Sequence, residues 1–160
     1  MKVYQLYKDI LYNTSCRIVK NEHDAQDVVQ DAFIKAFQNI SKLDNDLNLG
    51  AWLKRITINQ SFDFLRQKKR LGWLQNVEDV QISEQETEEL VDFPLNAKDV
   101  KQAINALKEK YRIVLVLYLI EDYTHKEIAE QLSLKEGTVR NQYIRGKQLL
   151  KQKLQSKLVV

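Results

Sequence analysis

The chain has 160 residues, 44% apolar and 29% charged, with four Gly, one Pro and a net charge of +3, which is mild. Its one cysteine, Cys16, excludes an internal disulfide, and no Cys and His cluster has zinc spacing, so no metal or other cofactor is expected. The longest apolar run, residues 113–120, falls far short of the ~20 that cross a bilayer, and MKVYQLYKDI lacks a signal-peptide pattern, so a cytoplasmic protein without membrane insertion is expected.

Val3, Leu6, Tyr7, Ile10, Leu11, Ile18 and Val19 recur at intervals of three and four, which predicts a first amphipathic helix of about 18 residues. Asn21 is placed to cap a second helix, with Glu22 and Asp24 near the positive end of its dipole. In that helix Val28, Val29, Ala32, Phe33, Ala36, Phe37 and Ile40 form a broad apolar stripe. The opposite side carries Asp24, Asp27, Gln30 and Asp31. Such a face is either solvated or a docking surface for a basic partner, and spacing alone leaves both open.

Residues 41–50 form a polar loop rich in turn formers. A third helix is predicted over 51–70, with Trp52, Leu53, Ile56, Phe62 and Leu65 inward. Asn59 and Asp63, four apart, share a face and are expected to hydrogen-bond each other. The helix ends in Arg66, Lys68, Lys69 and Arg70. Cations suit a helix C-terminus on dipole grounds, and a nucleic-acid contact accounts for them equally well.

From 71 to 96 the helical period fails. Seven acids and no base lie between Glu78 and Asp92. Such a run repels itself and buries too little apolar area to offset chain entropy, so it is read as a flexible linker. An acidic tether also avoids holding DNA itself and shields basic modules when none is bound.

A second helical module opens near residue 97, with Val100, Ile104 and Leu107 on one face. Residues 111–120 are nearly all apolar and predict its buried central helix. Thr124 and Glu127 have the spacing of a capping box. Ile128, Ala129 and Leu132 then share a face, Ser133 and Leu134 bend the chain, and Val139, Tyr143, Leu149 and Leu150 face inward from a second helix. Small Ala129, the bend at Ser133 and the plug at Val139 have helix-turn-helix spacing, whose second helix lies in the DNA major groove. Ser133 stands where Gly would avoid the strain of a left-handed backbone.

From Lys135 to Lys157 there are seven basic residues and one acid. Arg140 and Asn141 fall in the first turn and a half, where Arg can hold guanine and Asn adenine. The lysines beyond them suit phosphates, which fix register without reading sequence. His23 and His125 are expected at the surface. No carboxylate pair, nucleophile–base set or glycine-rich phosphate loop is present, so no catalytic residue and no enzyme activity are expected.

The whole chain resembles the extracytoplasmic-function sigma factors of bacterial RNA polymerase, compact members of the sigma-70 superfamily. DAQDVVQDAFIKAF is similar to that family's core-polymerase-binding segment, and AWLKRITINQSFDFLRQKKR to its promoter −10 segment. The stretch from ALKEKYRIVLVLYLI through THKEIAEQLSLKEGTVRNQYIRGKQLL is similar to its −35-binding domain. The resemblance implies an all-α chain of two small helical domains: a region 2-like domain over 1–72, an acidic flexible linker over 73–96, and a region 4-like helix-turn-helix domain over 97–160.

By the same resemblance, Asp24, Asp27, Gln30 and Phe33 dock on the clamp helices of the polymerase's largest subunit. Asn59 and Asp63 lie at the −10 element, where a non-template base is extruded, with Arg66, Lys68, Lys69 and Arg70 on the DNA backbone. Residues 41–50 correspond to the specificity loop. Lys135, Thr138, Arg140, Asn141, Ile144, Arg145 and Lys147 face the −35 element. The implied partners are the polymerase core (clamp helices and flap), promoter DNA as duplex and as single-stranded non-template, and an anti-sigma factor. The sequence departs from the family where Lys108 replaces a frequent Pro, and where Asn141 and Lys135 replace Ser. A conventional helix-turn-helix regulator working without polymerase explains the second module equally well but leaves the first unexplained. A helical interaction protein with no DNA role is the third reading.

Overall fold

The computed structural model describes residues 2–43, 48–68 and 97–158. The expected linker, Lys69 and Arg70, and residues 44–47 of the expected loop lie outside the described residues. All regular structure among the described residues is helical. The chain divides into two compact units, one holding the described residues to 68 and the other those from 97.

In the first unit α1 (Lys2–Val19), α2 (Glu22–Gln38) and α3 (Leu49–Gln67) pack against one another pairwise. Asn21 starts α2 as expected, its side chain accepting from the Asp24 N–H at 3.0 Å. Asn48 does the same for α3, accepting from Gly50 at 2.9 Å and Ala51 at 3.4 Å. Leu11, Val29, Phe33, Ala36 and Leu53 form one cluster, flanked by half-buried Tyr4, Tyr7 and Trp52.

The stripe read for α1 needs correction. Leu6 is 67% exposed and Ile10 48%, while Thr14 and Ser15 are buried. At about 100° per residue, Leu6 points about 140° away from Leu11, the centre of the packed face. Thr14 and Ser15 can go inside because they are small and satisfied. The Thr14 hydroxyl donates to the Ile10 carbonyl at 3.0 Å, and the Ser15 and Ser61 hydroxyls lie 3.0 Å apart. Ser61 also donates to Thr57 O, and Thr57 to Leu53 O, both at 2.8 Å. A hydroxyl seam thus lets α1 and α3 close tightly. Phe37 on α2, and Ile40 in the 3-10 turn Ile40–Lys42 that follows it, are likewise exposed, not interior.

The second unit contains α4 (Ala97–Asn105), α5 (Glu109–Leu115), α6 (His125–Leu132) and α7 (Glu136–Leu158). Helix α7 packs on α4, α5 and α6. Ile104, Leu107, Tyr111, Leu115, Val116, Leu150 and Leu154 make the cluster between α4, α5 and α7. A Cβ on Gly146 would lie 3.2 Å from Tyr111 Cβ and 3.3 Å from Leu115 Cδ1, so Gly is what lets α7 approach α5.

The expected central helix is buried from Tyr111 through Leu117 and then changes pitch. A π-helical turn runs over Val116–Ile120, closed by the Glu121 N–H on Val116 O at 3.1 Å. The wider turn carries Leu119 out to 44% exposure, so the apolar run is not interior throughout. Sequence hydrophobicity also hid Arg112, which is 1% exposed and bonds Glu109 at 3.2 Å.

Candidate docking face and nucleic-acid interface

On α2, Asp27 and Gln30 are exposed and Asp24 is half-buried. At helical spacing His23, Asp27, Gln30, Ile34 and Phe37 follow one another along a single outward stripe. Ile34 is 55% and Phe37 39% exposed. The face therefore combines an acid and an amide with two large apolar groups, a pattern suited to docking a partner with both basic and apolar groups. Phe33, assigned to this face from the sequence, lies elsewhere. It is 4% exposed and its ring packs 4.9 Å from Tyr4 and 6.2 Å from Phe37, so it supports the stripe from beneath. Ile34 and Phe37 were missed although their offsets from Asp27 and Gln30 were readable. Phe37 lies at the edge of both stripes, and hydrophobicity alone drew it inward.

On α3, Asn59 is exposed, and the register sets half-buried Trp52 with Arg55, Asp63 and Arg66 on the same side. Asp63 accepts from Arg66 Nη1 at 3.0 Å instead of pairing with Asn59. Both partners are more than 40% exposed, so the pair contributes little stability and opens readily when a phosphate competes for the guanidinium. Exposed Lys68 holds its Nζ 5.5 Å from the Phe64 ring. One side of α3 thus carries an amide, an aromatic group and cations (Asn59, Trp52, Arg55 and Arg66), which can take a base and its flanking phosphates, while Phe64 and Lys68 lie round the helix from Asn59.

The helix-turn-helix closes as its sequence dictates. Glu127 N–H donates to Thr124 Oγ1 at 3.1 Å, and Thr124 N–H to Glu127 Oε1 at 3.2 Å, so the capping box is complete. Ser133 takes the left-handed conformation, φ 55°, and Leu134 N–H reaches back to Ala129 O at 2.9 Å. Val139 is fully buried in the angle between α6 and α7.

Along α7, Arg140 and Asn141 are exposed and Ile144 half-buried, on one outward stripe that continues to Gln148 and Lys151. Thr138 and Arg145 are half-buried and lie round the side, Arg145 Nη1 donating to Gln148 at 3.4 Å. Lys147, at the opposite edge, sits 5.7 Å over the Tyr143 ring. Lys135 is exposed just before the helix and its carbonyl accepts from Val139 N–H. Arg140 pairs loosely with Glu136 at 3.7 Å. The structure therefore brings Arg140, Asn141 and Ile144 together and sets Thr138, Arg145 and Lys147 at the margins, where duplex backbone runs past a groove-bound helix.

His125 is half-buried, contrary to its surface assignment. Its ring stacks on Tyr118 at 4.6 Å and meets the edge of Tyr143 at 5.2 Å, while Nδ1 is buried without a hydrogen-bond partner. Burial pushes its pKa below the usual histidine value, Arg140 pushes the same way, and Glu136 opposes them. The pattern missed in the sequence was Tyr118, His125 and Tyr143, which come from the π-helical turn, α6 and α7. His23 is exposed as expected. Among the described residues no helix is long and apolar enough to cross a membrane.

Comparison with known proteins agrees with this division. The family described as sigma-70 region 2 matches residues 3–71, and that described as sigma-70 region 4 matches 97–150. The ECF RNA polymerase sigma factor SigW of Bacillus subtilis is 32% identical over 95% of this chain and 87% of its own length. SigE of Mycolicibacterium smegmatis, another ECF sigma factor, is 31% identical over 91% of this chain and 57% of its own. In fold, the chain is similar to the sigma factor RpoE of Bartonella quintana, solved with the anti-sigma factor NepR (TM-score 0.58, 23% identity, 96% and 95% of the two chains). Sigma-70 regions 2 and 4, joined in one chain and aligned over nearly its full length with SigW, establish that this protein belongs to the ECF family of RNA polymerase sigma factors.

Proposed function

We propose a division of labour within this sigma factor, which directs RNA polymerase to its promoters. The α2 stripe of Asp27, Gln30, Ile34 and Phe37, with Asp24 at its edge, docks on the core enzyme at the clamp helices of the largest subunit. Asn59 holds an extruded non-template base at the −10 element, a step costing a few kcal/mol that stacking and hydrogen bonds repay. Arg66, Lys68, Lys69 and Arg70 hold flanking phosphates, with Asp63 holding Arg66 in place until DNA arrives. Arg140, Asn141 and Ile144 read the −35 duplex while Lys135, Thr138, Arg145 and Lys147 fix register, and the second unit also meets the polymerase flap. The chain makes no covalent bond itself and works in the cytoplasm, beside the polymerase.

The observation that carries this reading is the outward α7 stripe, which unites Arg140 and Asn141 on a helix anchored by buried Val139. Two weak contacts on one chain gain from effective concentration, so promoter binding is tight only with core enzyme present. An anti-sigma factor is a further proposed partner, supported by the like-folded RpoE having been solved in complex with one. A conventional regulator would leave the region 2 match without a purpose. Run-off transcription with purified core polymerase and a promoter library tests the proposal. Asp27→Lys is expected to abolish core binding. Arg140→Ala is expected to relax base preference at one −35 position by about 1–3 kcal/mol. Unaltered initiation by core polymerase, with the chain present or absent, on every template overturns it.

A further inference from the structure

Three glycines fall among the described residues, and two have an internal reason to lack a side chain. Gly146 sits against Tyr111 and Leu115, and a Cβ on Gly50 would lie 3.1 Å from the Tyr7 ring. Gly137 has neither a packing nor a backbone reason. A Cβ there would meet nothing within 4 Å, its φ is not positive, and the position is exposed in the first turn of α7. Within a helix Gly is less favourable than Ala by up to about 1 kcal/mol. Here that cost has no compensation inside the chain. By register Gly137 heads the same outward stripe as Arg140, Asn141 and Ile144, at three, four and seven residues.

We propose that Gly137 is a clearance position, whose missing side chain lets the first turn of α7 come closer to duplex DNA than any larger residue would allow. This rests on the assignment of the α7 stripe to DNA. A Cβ added at this point projects from the face that Arg140 and Asn141 present. It would hold the helix away from the groove floor, lengthening every base contact that follows. The effect differs from losing a contact. A lost Arg changes which base is preferred, whereas lost clearance weakens all −35 sequences alike.

The test uses the full chain with core RNA polymerase and a pooled template library randomised across the −35 region, with transcripts counted by sequencing. Gly137→Ala and Gly137→Leu are compared with Arg140→Ala and Asn141→Ala, and each free chain is melted. Both Gly137 variants are expected to melt no lower than the parent. Gly137→Ala is expected to lose about tenfold in yield, the equivalent of one good contact pair, and Gly137→Leu more, with the ranking of −35 sequences unchanged. Undiminished yield from both Gly137 variants, while Arg140→Ala and Asn141→Ala shift the ranking, overturns the clearance role alone. If none of the four variants changes yield or ranking, the DNA assignment of α7 falls with it.

Discussion

In the first unit the buried polar side chains are small hydroxyls, and each has a partner: Thr14 on Ile10, Thr57 on Leu53, Ser61 on Thr57, and Ser15 beside Ser61. In the second unit they are larger and less complete. Arg112 is 1% exposed with Nε lacking a hydrogen bond, and Gln142 is 7% exposed with Oε1 lacking one. His125 adds a buried Nδ1 in the same condition. A hydroxyl can return its proton to the carbonyl one helical turn back, so burying it costs little. A guanidinium, an amide and an imidazole cannot satisfy themselves so locally, and each leaves an atom that water would have bonded. The first unit is therefore expected to behave as a closed three-helix body. The stability of the second depends on larger polar groups, Arg112 on α5, His125 on α6 and Gln142 on α7.

The strongest way to break that contrast is at Arg112. Arg112→Ala empties a fully buried volume and strands Glu109, and is expected to cost the second unit roughly 3 kcal/mol. Arg112→Met keeps most of the volume and removes the charge, so it is expected to cost less than about 1.5 kcal/mol. Hydrogen exchange of the α5 and α7 amides measures both without interference from the first unit. Equal damage by Met and Ala would show that the charge itself, and not the space it fills, holds α5 in place.

In the first unit the matching change is Ser61→Ala. It removes the hydroxyl shared with Ser15 and Thr57 and is expected to cost about 1 kcal/mol, read from the thermal midpoint. No measurable loss would show that the α1–α3 contact rests on shape alone. A change of similar size and opposite sign is expected at the bend. Ser133 holds φ 55°, so Ser133→Gly relieves left-handed strain and should stabilise the second unit by about 0.5–1 kcal/mol. A fall in its melting temperature would mean that the serine hydroxyl contributes more than the strain costs.

These residues also show what the sequence could carry. The capping box at Thr124, the cap at Asn21 and the strained bend at Ser133 were legible because they depend on residues within a few positions. Region identity was legible for the same reason, since each sigma-70 segment is contiguous. Leu6, Ile10 and Phe37 were misplaced because apolarity does not say which edge of a wide stripe meets the neighbouring helix. The hydroxyl seam was invisible, since Ser15 meets Ser61 across 46 positions. The Tyr118–His125–Tyr143 cluster was lost similarly, because it forms only when the π turn, α6 and α7 come together.

That cluster gives the smallest expected effect and the most specific one. The imidazole is flanked by the rings of Tyr118 and Tyr143, with Arg140 and Glu136 of α7 as the charges acting on it. Its folded pKa lies below the unfolded value of about 6.5, chiefly because burial disfavours the imidazolium. Between those two values the unfolded chain binds more protons than the folded one. Stability from this group is thus fully present above about pH 6.5 and is lost as the pH falls through the folded pKa. His125→Phe keeps a ring in the stack and removes the proton site. The melting temperature of the second unit should therefore fall less for His125→Phe than for the parent between pH 7.5 and 5.5. Carboxylates titrating in the same range act on both proteins and cancel in that difference. Identical slopes would place the acid sensitivity elsewhere, and would mean that the stacked imidazole charges without disturbing the rings around it.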